Sequence, residues 1–161
     1  MSCLPPGTFL ALAGIILGIK NLTTKGGDHI RDLIKSFLTM KTWAIVGASQ
    51  NKKKYGNIIF RYLKNNTDFT LYPVNPKIEE VEGQTCYPSL TALPIKPEVV
   101  NLVVPPSVCR EVVKEGIQLG IKHFWMQPGA EDKEAIEIIE KEGLSVIHGA
   151  CVMAELKNKG R

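Results

Sequence analysis

Five short runs of apolar and β-branched residues recur along the chain: Trp43–Val46, Phe69–Val74, Val99–Val104, His123–Met126 and Leu144–Ile147. This recurrence constrains the fold more than any other feature. Each run is too short for a helix and is not broken by polar alternation, the pattern of parallel strands covered on both faces. Helical segments separate the runs. Between Ser107 and Leu119, the residues Cys109, Val112, Val113, Gly116 and Ile117 fall on one stripe, with Ser107 expected as N-cap and Gly120 as the C-terminal stop. From Glu131 to Glu142 the scheme repeats, with Ala135, Ile138 and Ile139 turned inward, acidic residues in the first turn and Gly143 closing the helix. The crossover from Asn75 to Glu98 carries a weaker pattern. A short helix is expected near Ser89–Leu93, because long structureless loops are uncommon in compact domains.

This alternation predicts an α/β fold of Rossmann-like, three-layer type, with a five-stranded parallel sheet in the order 3-2-1-4-5. The 161 residues suffice for one well-cored domain and not comfortably for two. Residues 40–161 are assigned to that domain and residues 1–39 to an N-terminal extension. Within the extension, Phe9–Ile19 reads FLALAGIILGI, about half the roughly 20 apolar residues that span a bilayer. No basic region precedes it and no small-residue cleavage pattern follows closely, so it fits a signal peptide poorly. Ile30, Leu33, Ile34 and Phe37 then recur at helical spacing and predict a short amphipathic helix. Three readings of the extension stand open: a helical appendage, a weak membrane-surface contact, or translated sequence upstream of a start at Met40.

A net charge of +4 is mild, and no basic stripe is interleaved with aromatics, which argues against nucleic acid as a partner. Cys3, Cys86, Cys109 and Cys151 are scattered, without Cys-x-x-Cys pairs or histidines at metal-ligand spacing. They read as free thiols of a cytoplasmic protein, and no metal site is expected. His123 and His148 border apolar runs without motif partners and read as structural.

In an open α/β sheet, ligands bind beyond the carboxyl ends of the strands, where strand order reverses. Here those ends are Gly47-Ala48-Ser49, Val74-Asn75-Pro76-Lys77, Val104-Pro105-Pro106, Gln127-Pro128-Gly129 and Gly149-Ala150-Cys151. All are turns of small, amide or proline residues, and none ends on a carboxylate. No acid–base constellation is visible, so the reading leans against an enzyme. No Gly-x-x-x-x-Gly-Lys-Ser/Thr follows Gly47, which removes the P-loop. The dinucleotide fingerprint fails at Ser49 and Lys52, and Asn75 and Lys77 stand where an acid would grip the NAD ribose. An NADP-dependent oxidoreductase survives as an alternative, because lysines suit a 2′-phosphate. A nucleotide-sensing, partner-binding module is another. Taken singly, Gly47-Ala48-Ser49 fits a plain tight turn, Lys52–Lys54 a solvated surface run, and Pro105-Pro106 the end of a strand before a helix. Their convergence on one sheet edge supports the functional reading.

The segments WAIVGAS, KKYG, YPVNPK, EGQTCYPSL, VVPPSV, WMQPGA and GACVM, in this order, resemble the stand-alone CoA-binding domain family. That family is similar to the CoA-binding domain of succinyl-CoA synthetase alpha subunits, and the resemblance covers Met40 to Met153. It implies a Rossmann-like fold that binds coenzyme A or an acyl-CoA. By this likeness Gly47, Ala48, Ser49, Tyr55 and Gly56 would hold the phosphates, with Lys53 and Lys54 beside them. Val74, Asn75, Pro76 and Lys77 would lie by the adenosine. Val104, Pro105 and Pro106 would line the adenine or pantetheine path, and Gln127 and Pro128 would lie further along. Cys151 matches a cysteine position without an established role. No phosphohistidine domain or ATP-grasp sequence is read in these residues, so ligase activity is not expected to carry over from the resemblance. A non-catalytic or regulatory role is expected, with no firm membrane association and a homo-oligomer left open. Physical chemistry agrees: backbone N–H groups at a helix start suit a diphosphate, and flexible lysines suit a separate 3′-phosphate.

Overall fold

The computed structural model describes residues 26–160; the apolar stretch Phe9–Ile19 and Cys3 lie outside them. The chain divides after Lys35 into two compact units. Helix α1, Gly26–Phe37, realises the amphipathic pattern of Ile30, Leu33, Ile34 and Phe37. Phe37 belongs to the second unit and is fully buried there, edge-on to His123 at 5.2 Å and to Trp125 at 6.1 Å.

The second unit alternates as its sequence predicts. Strands β1 (Thr42–Val46) and β2 (Thr70–Val74) flank helix α2 (Tyr55–Asn66). A small hairpin of β3 (Glu80–Val81) and β4 (Gln84–Thr85) follows. Then come β5 (Val99–Leu102), α3 (Pro106–Gln118), β6 (His123–Met126), α4 (Lys133–Lys141), β7 (Ser145–Ile147) and α5 (Val152–Lys159). All five long strands pair in parallel. One face of the sheet packs Val46, Val100, Leu102, Phe124 and Met126 with Cys109 and Val113 of α3 and Ala135 and Ile139 of α4. On the other, Trp43 lies 6.0 Å from Trp125 and stacks on Phe69 at 4.9 Å, while α2 and α5 pack together. Continuous burial along β5 reflects its central place between these layers.

The strand order corrects the sequence-based expectation. The sheet runs β2-β1-β5-β6-β7, which in terms of the five long strands is 2-1-3-4-5 rather than 3-2-1-4-5. The outer edge of β2 is occupied by Tyr87, which bridges Val74: Tyr87 N donates to Pro73 O and Asn75 N to Tyr87 O, each at 2.9 Å. Pro73 explains why this edge takes no full strand. Its carbonyl points outward, so its missing N–H does too, and an inner strand would lose a ladder bond there. The third long strand therefore adds to the free side of β1.

Two local expectations also change. No helix forms at Ser89–Leu93; a single hydrogen-bonded turn, Leu93 N to Leu90 O, lies between Pro88 and Pro94. Helix α3 starts before Ser107, with Pro105 at the N-cap and Pro106 in the first turn, where a missing N–H costs nothing. The β3–β4 hairpin is an addition to the expected elements. Its two-residue turn, Glu82-Gly83, has positive φ at both positions, 48° and 76°, the geometry that tight hairpins favour.

Candidate functional site

The order 2-1-3-4-5 puts the reversal between β1 and β5, so the turns after Val46 and Leu102 lie side by side. Val103 N donates to Val46 O and Gly47 N to Val74 O, each at 2.9 Å, which ties three strand ends together. Gly47 has φ +93°, and a β-carbon on it would run into the carbonyl of Val103. Gly56, in the first turn of α2, meets the same restriction: its β-carbon would overlap the carbonyl of Gly47. The helix start can approach the turn this closely only without a side chain.

From Ser49 to Lys54 the chain is held by its own side chains. Asn51 N donates to Ser49 Oγ at 3.1 Å and Lys53 N to Asn51 Oδ1 at 3.0 Å. Asn75 crosses from β2, its Nδ2 donating to Ala48 O at 2.8 Å, while its Oδ1 accepts from Lys77 N at 2.9 Å. Thus Asn75 links the turn after β1 to the turn after β2.

A cavity of about 550 Å³ opens at this junction, within the range of small-molecule sites. Of the sixteen residues expected to form a site, eight line it: Gly47, Lys54, Val74, Asn75, Pro76, Lys77, Val104 and Pro105. Ala48 is buried beside it, and Gly56 packs under Gly47. Ser49, Lys53, Tyr55 and Pro106 belong to the flanking loop and helix starts without lining the cavity; Tyr55 is 68% exposed. Gln127 lies elsewhere. It is buried, donating through Nε2 to Asn101 Oδ1 at 2.6 Å and accepting at Oε1 from Val152 N at 3.2 Å, while Pro128 after it is exposed. In the expected order Gln127 would have flanked Gly47; with β5 between them, it does not.

Sequence reasoning missed the residues that the crossover and α3 contribute, namely Pro88, Ser89, Leu90, Val108, Val112 and Glu115. Val108, Val112 and Glu115 follow one helical stripe, a signal already present in their spacing. Glu115 brings the carboxylate that the strand ends lack. Its Oε1 accepts from Thr91 N at 2.9 Å and from Thr91 Oγ at 2.8 Å, which pins the loop over the cavity.

The electrostatics favour an anion at the strand-end side. Helix α2 begins at Lys54 without a side-chain cap and has no acidic residue in its first turn; α3 begins likewise at Pro105. Neither first turn carries an acidic residue of its own to offset its N–H groups and positive helix end; the Glu82 carboxylate, from the β3–β4 hairpin, meets α2 at the side chain of Asn57. Helix α4 shows the opposite arrangement. There Asp132 Oδ1 accepts from Ala135 N at 2.8 Å, and the Arg110 guanidinium, with that backbone bond, holds the Asp132 carboxyl below its ordinary range. Lined by Lys54 and Lys77 together with valine, leucine and proline side chains, and with Glu115 engaged by Thr91, the cavity suits a ligand with an apolar or planar body and anionic groups.

His123, Cys86 and Cys109 do not line the cavity. His123 Nδ1 lies 3.2 Å from Glu98 O. Cys86 and Cys109 are buried free thiols, and burial, with Asp132 and Glu131 nearby, pushes the Cys109 thiol up to about 12.

Fold and cavity together define a Rossmann-like α/β domain with an open cavity at the point where its strand order reverses. The comparison with known proteins is more specific: residues 41–157 match the model of the CoA binding domain family, and the chain belongs to that family. It is 30% identical over 122 residues to acetate–CoA ligase (ADP-forming) I of Archaeoglobus fulgidus, covering 70% of this chain but 18% of the ligase. The chain thus spans under a fifth of that relative's length. A conserved hypothetical protein from Pyrococcus furiosus is 44% identical, with a TM-score of 0.68, covering 71% of this chain and 98% of that one. A hypothetical protein from Pyrococcus horikoshii is 38% identical, with a TM-score of 0.74, covering 80% of this chain and 90% of that one. Among the described residues, no helix is long and apolar enough to cross a membrane.

Proposed function

We propose that this protein binds coenzyme A or an acyl-CoA in the cavity between the ends of β1, β2 and β5, and that it does so without catalysing a reaction of its own. The carrying observation is the junction of Gly47 with the uncapped start of α2, beside Lys54 and Lys77, in a member of the CoA binding domain family. In this reading the diphosphate takes the first-turn N–H groups of α2. The 3′-phosphate takes Lys54 or Lys77, and the adenosine enters the apolar part of the cavity between Val104, Val108 and Pro88. The ligase relative supplies the substrate class by analogy; its ligation chemistry resides in a much longer protein.

Native mass spectrometry of freshly purified protein, followed by calorimetry with coenzyme A and with NADPH, tests the proposal. Coenzyme A is expected to bind with one-to-one stoichiometry and NADPH far more weakly. Binding of NADPH alone would replace the proposal with the reductase reading. Binding of neither would leave a partner-binding module.

A further inference from the structure

The β3–β4 hairpin contributes no strand to the main sheet and does not line the cavity, yet its tip is tied to the turn that does. Glu82 holds φ +48° there, a left-handed conformation that glycine adopts more readily. Its Oε1 accepts from Asn57 Nδ2 at 2.9 Å, and the same nitrogen donates to Ser49 O at 2.7 Å. Asn57 is fully buried, and its Oδ1 accepts from Arg61 Nε at 2.6 Å. Three partners therefore fix one amide plane. Two further bonds hold the hairpin in place: Lys64 Nζ donates to Glu82 O at 2.7 Å and Gln50 Nε2 to Glu80 O at 3.0 Å. Lys52, Arg61 and Lys64 surround the carboxylate with positive charge.

We infer that Glu82 is a positioning residue for the ligand's phosphate groups, acting through Asn57 to hold the turn from Gly47 to Lys54 against the start of α2. This rests on the coenzyme A reading above. Without the Glu82 carboxylate, one hydrogen of the buried Asn57 amide loses its acceptor. The amide then rotates or recruits water, and its hold on Ser49 O weakens. The first-turn N–H groups and Lys54 would then face the cavity in a looser arrangement.

Glu82→Gly and Glu82→Gln, beside the wild type, test this by three measurements: coenzyme A affinity, melting temperature, and amide hydrogen exchange of residues 49–54 in the ligand-free protein. Glu82→Gly is expected to weaken coenzyme A about fivefold, less than the roughly tenfold or more of a whole charge-assisted bond because the carboxylate acts on the ligand only through Asn57, and to speed exchange at 49–54. Its melting temperature should change little, because relief of the left-handed tip opposes the loss of the bond to Asn57. Glu82→Gln keeps an acceptor at the same place and should stay within about twofold of wild-type affinity. A lower melting temperature with unchanged affinity, or equal behaviour of the two variants, overturns the inference. If the wild type takes up no coenzyme A, the functional reading itself falls. The exchange data then decide alone: faster exchange in Glu82→Gly only supports the tie, and unchanged exchange overturns it.

Discussion

The carbonyl of Gly47 fills the space that a side chain on Gly56 would need. Two residues nine positions apart are thus pressed together backbone to backbone, and the obstacle is not a side chain that can turn away. Gly56→Ala is expected to destabilise the protein by about 1–3 kcal/mol, the cost of overpacking, and to weaken coenzyme A binding by displacing the α2 start. Denaturant unfolding and calorimetry on the same samples check both effects. Gly47 is equally constrained by Val103 and by its φ of +93°, so Gly47→Val should lower stability as well as binding.

Lys54 and Lys77 line the cavity, whereas Lys52 and Lys53 do not. A charge-assisted contact contributes about 1.5–3 kcal/mol when desolvated and about 0.2–1 when exposed. Lys54→Ala and Lys77→Ala should each weaken coenzyme A by roughly 1 kcal/mol, or about fivefold. The lysine that meets the 3′-phosphate is the one whose loss abolishes the difference between coenzyme A and 3′-dephospho-coenzyme A. Lys53→Ala should change little. Titration calorimetry at low and high salt separates these outcomes.

Phe37 is fully buried against His123 and Trp125, although it precedes the first strand of the sheet. Phe37→Ala should cost about 3–5 kcal/mol. A truncation that removes Phe37 and Leu38 should lose stability, and one that stops before α1 should not lose that contribution. Urea unfolding of both truncations checks this.

Asp132 both caps α4 and pairs with Arg110 Nη2 at 2.8 Å. Its carboxyl is depressed in the folded state, first by Arg110 and then by the Ala135 backbone bond. The stability it contributes is therefore present above the ordinary carboxylate pKa and is lost as pH falls through the lowered value. Asp132→Asn should flatten the acid limb of the stability–pH profile. An unchanged limb would show that the pair contributes nothing to acid sensitivity.

Cys109 is fully buried with its thiol pushed up to about 12, and Cys86 is raised by burial too, whereas Cys151 is half-exposed. At pH 8 a thiol reagent should modify Cys151 first among these three, and Cys109 only on unfolding. Peptide mass spectrometry against time reads this order directly.

Local structure is written in the order of residues along the chain. Apolar runs such as WAIV and the stripe through Cys109 and Val113 are repeated chemical choices, so strands, helices and a sheet edge of small turns are legible in them. The sequence also carries signals whose meaning depends on context. Pro73 marks an edge strand, and Glu82-Gly83 marks a tight hairpin, but both are single residues or pairs set within stronger patterns. Adjacency comes from the packing of the whole domain. Tyr87 occupies the outer edge of β2, which sends β5 to the other side of β1 and sets Val103 and Val104, rather than Gln127, beside Gly47. The same folding brings Glu115 to the cavity and Glu82 to Asn57 across long stretches of chain. Periodicity encodes which face of an element is buried; it does not encode which element covers that face. That choice is made by the sum of edge pairing and packing over the whole domain.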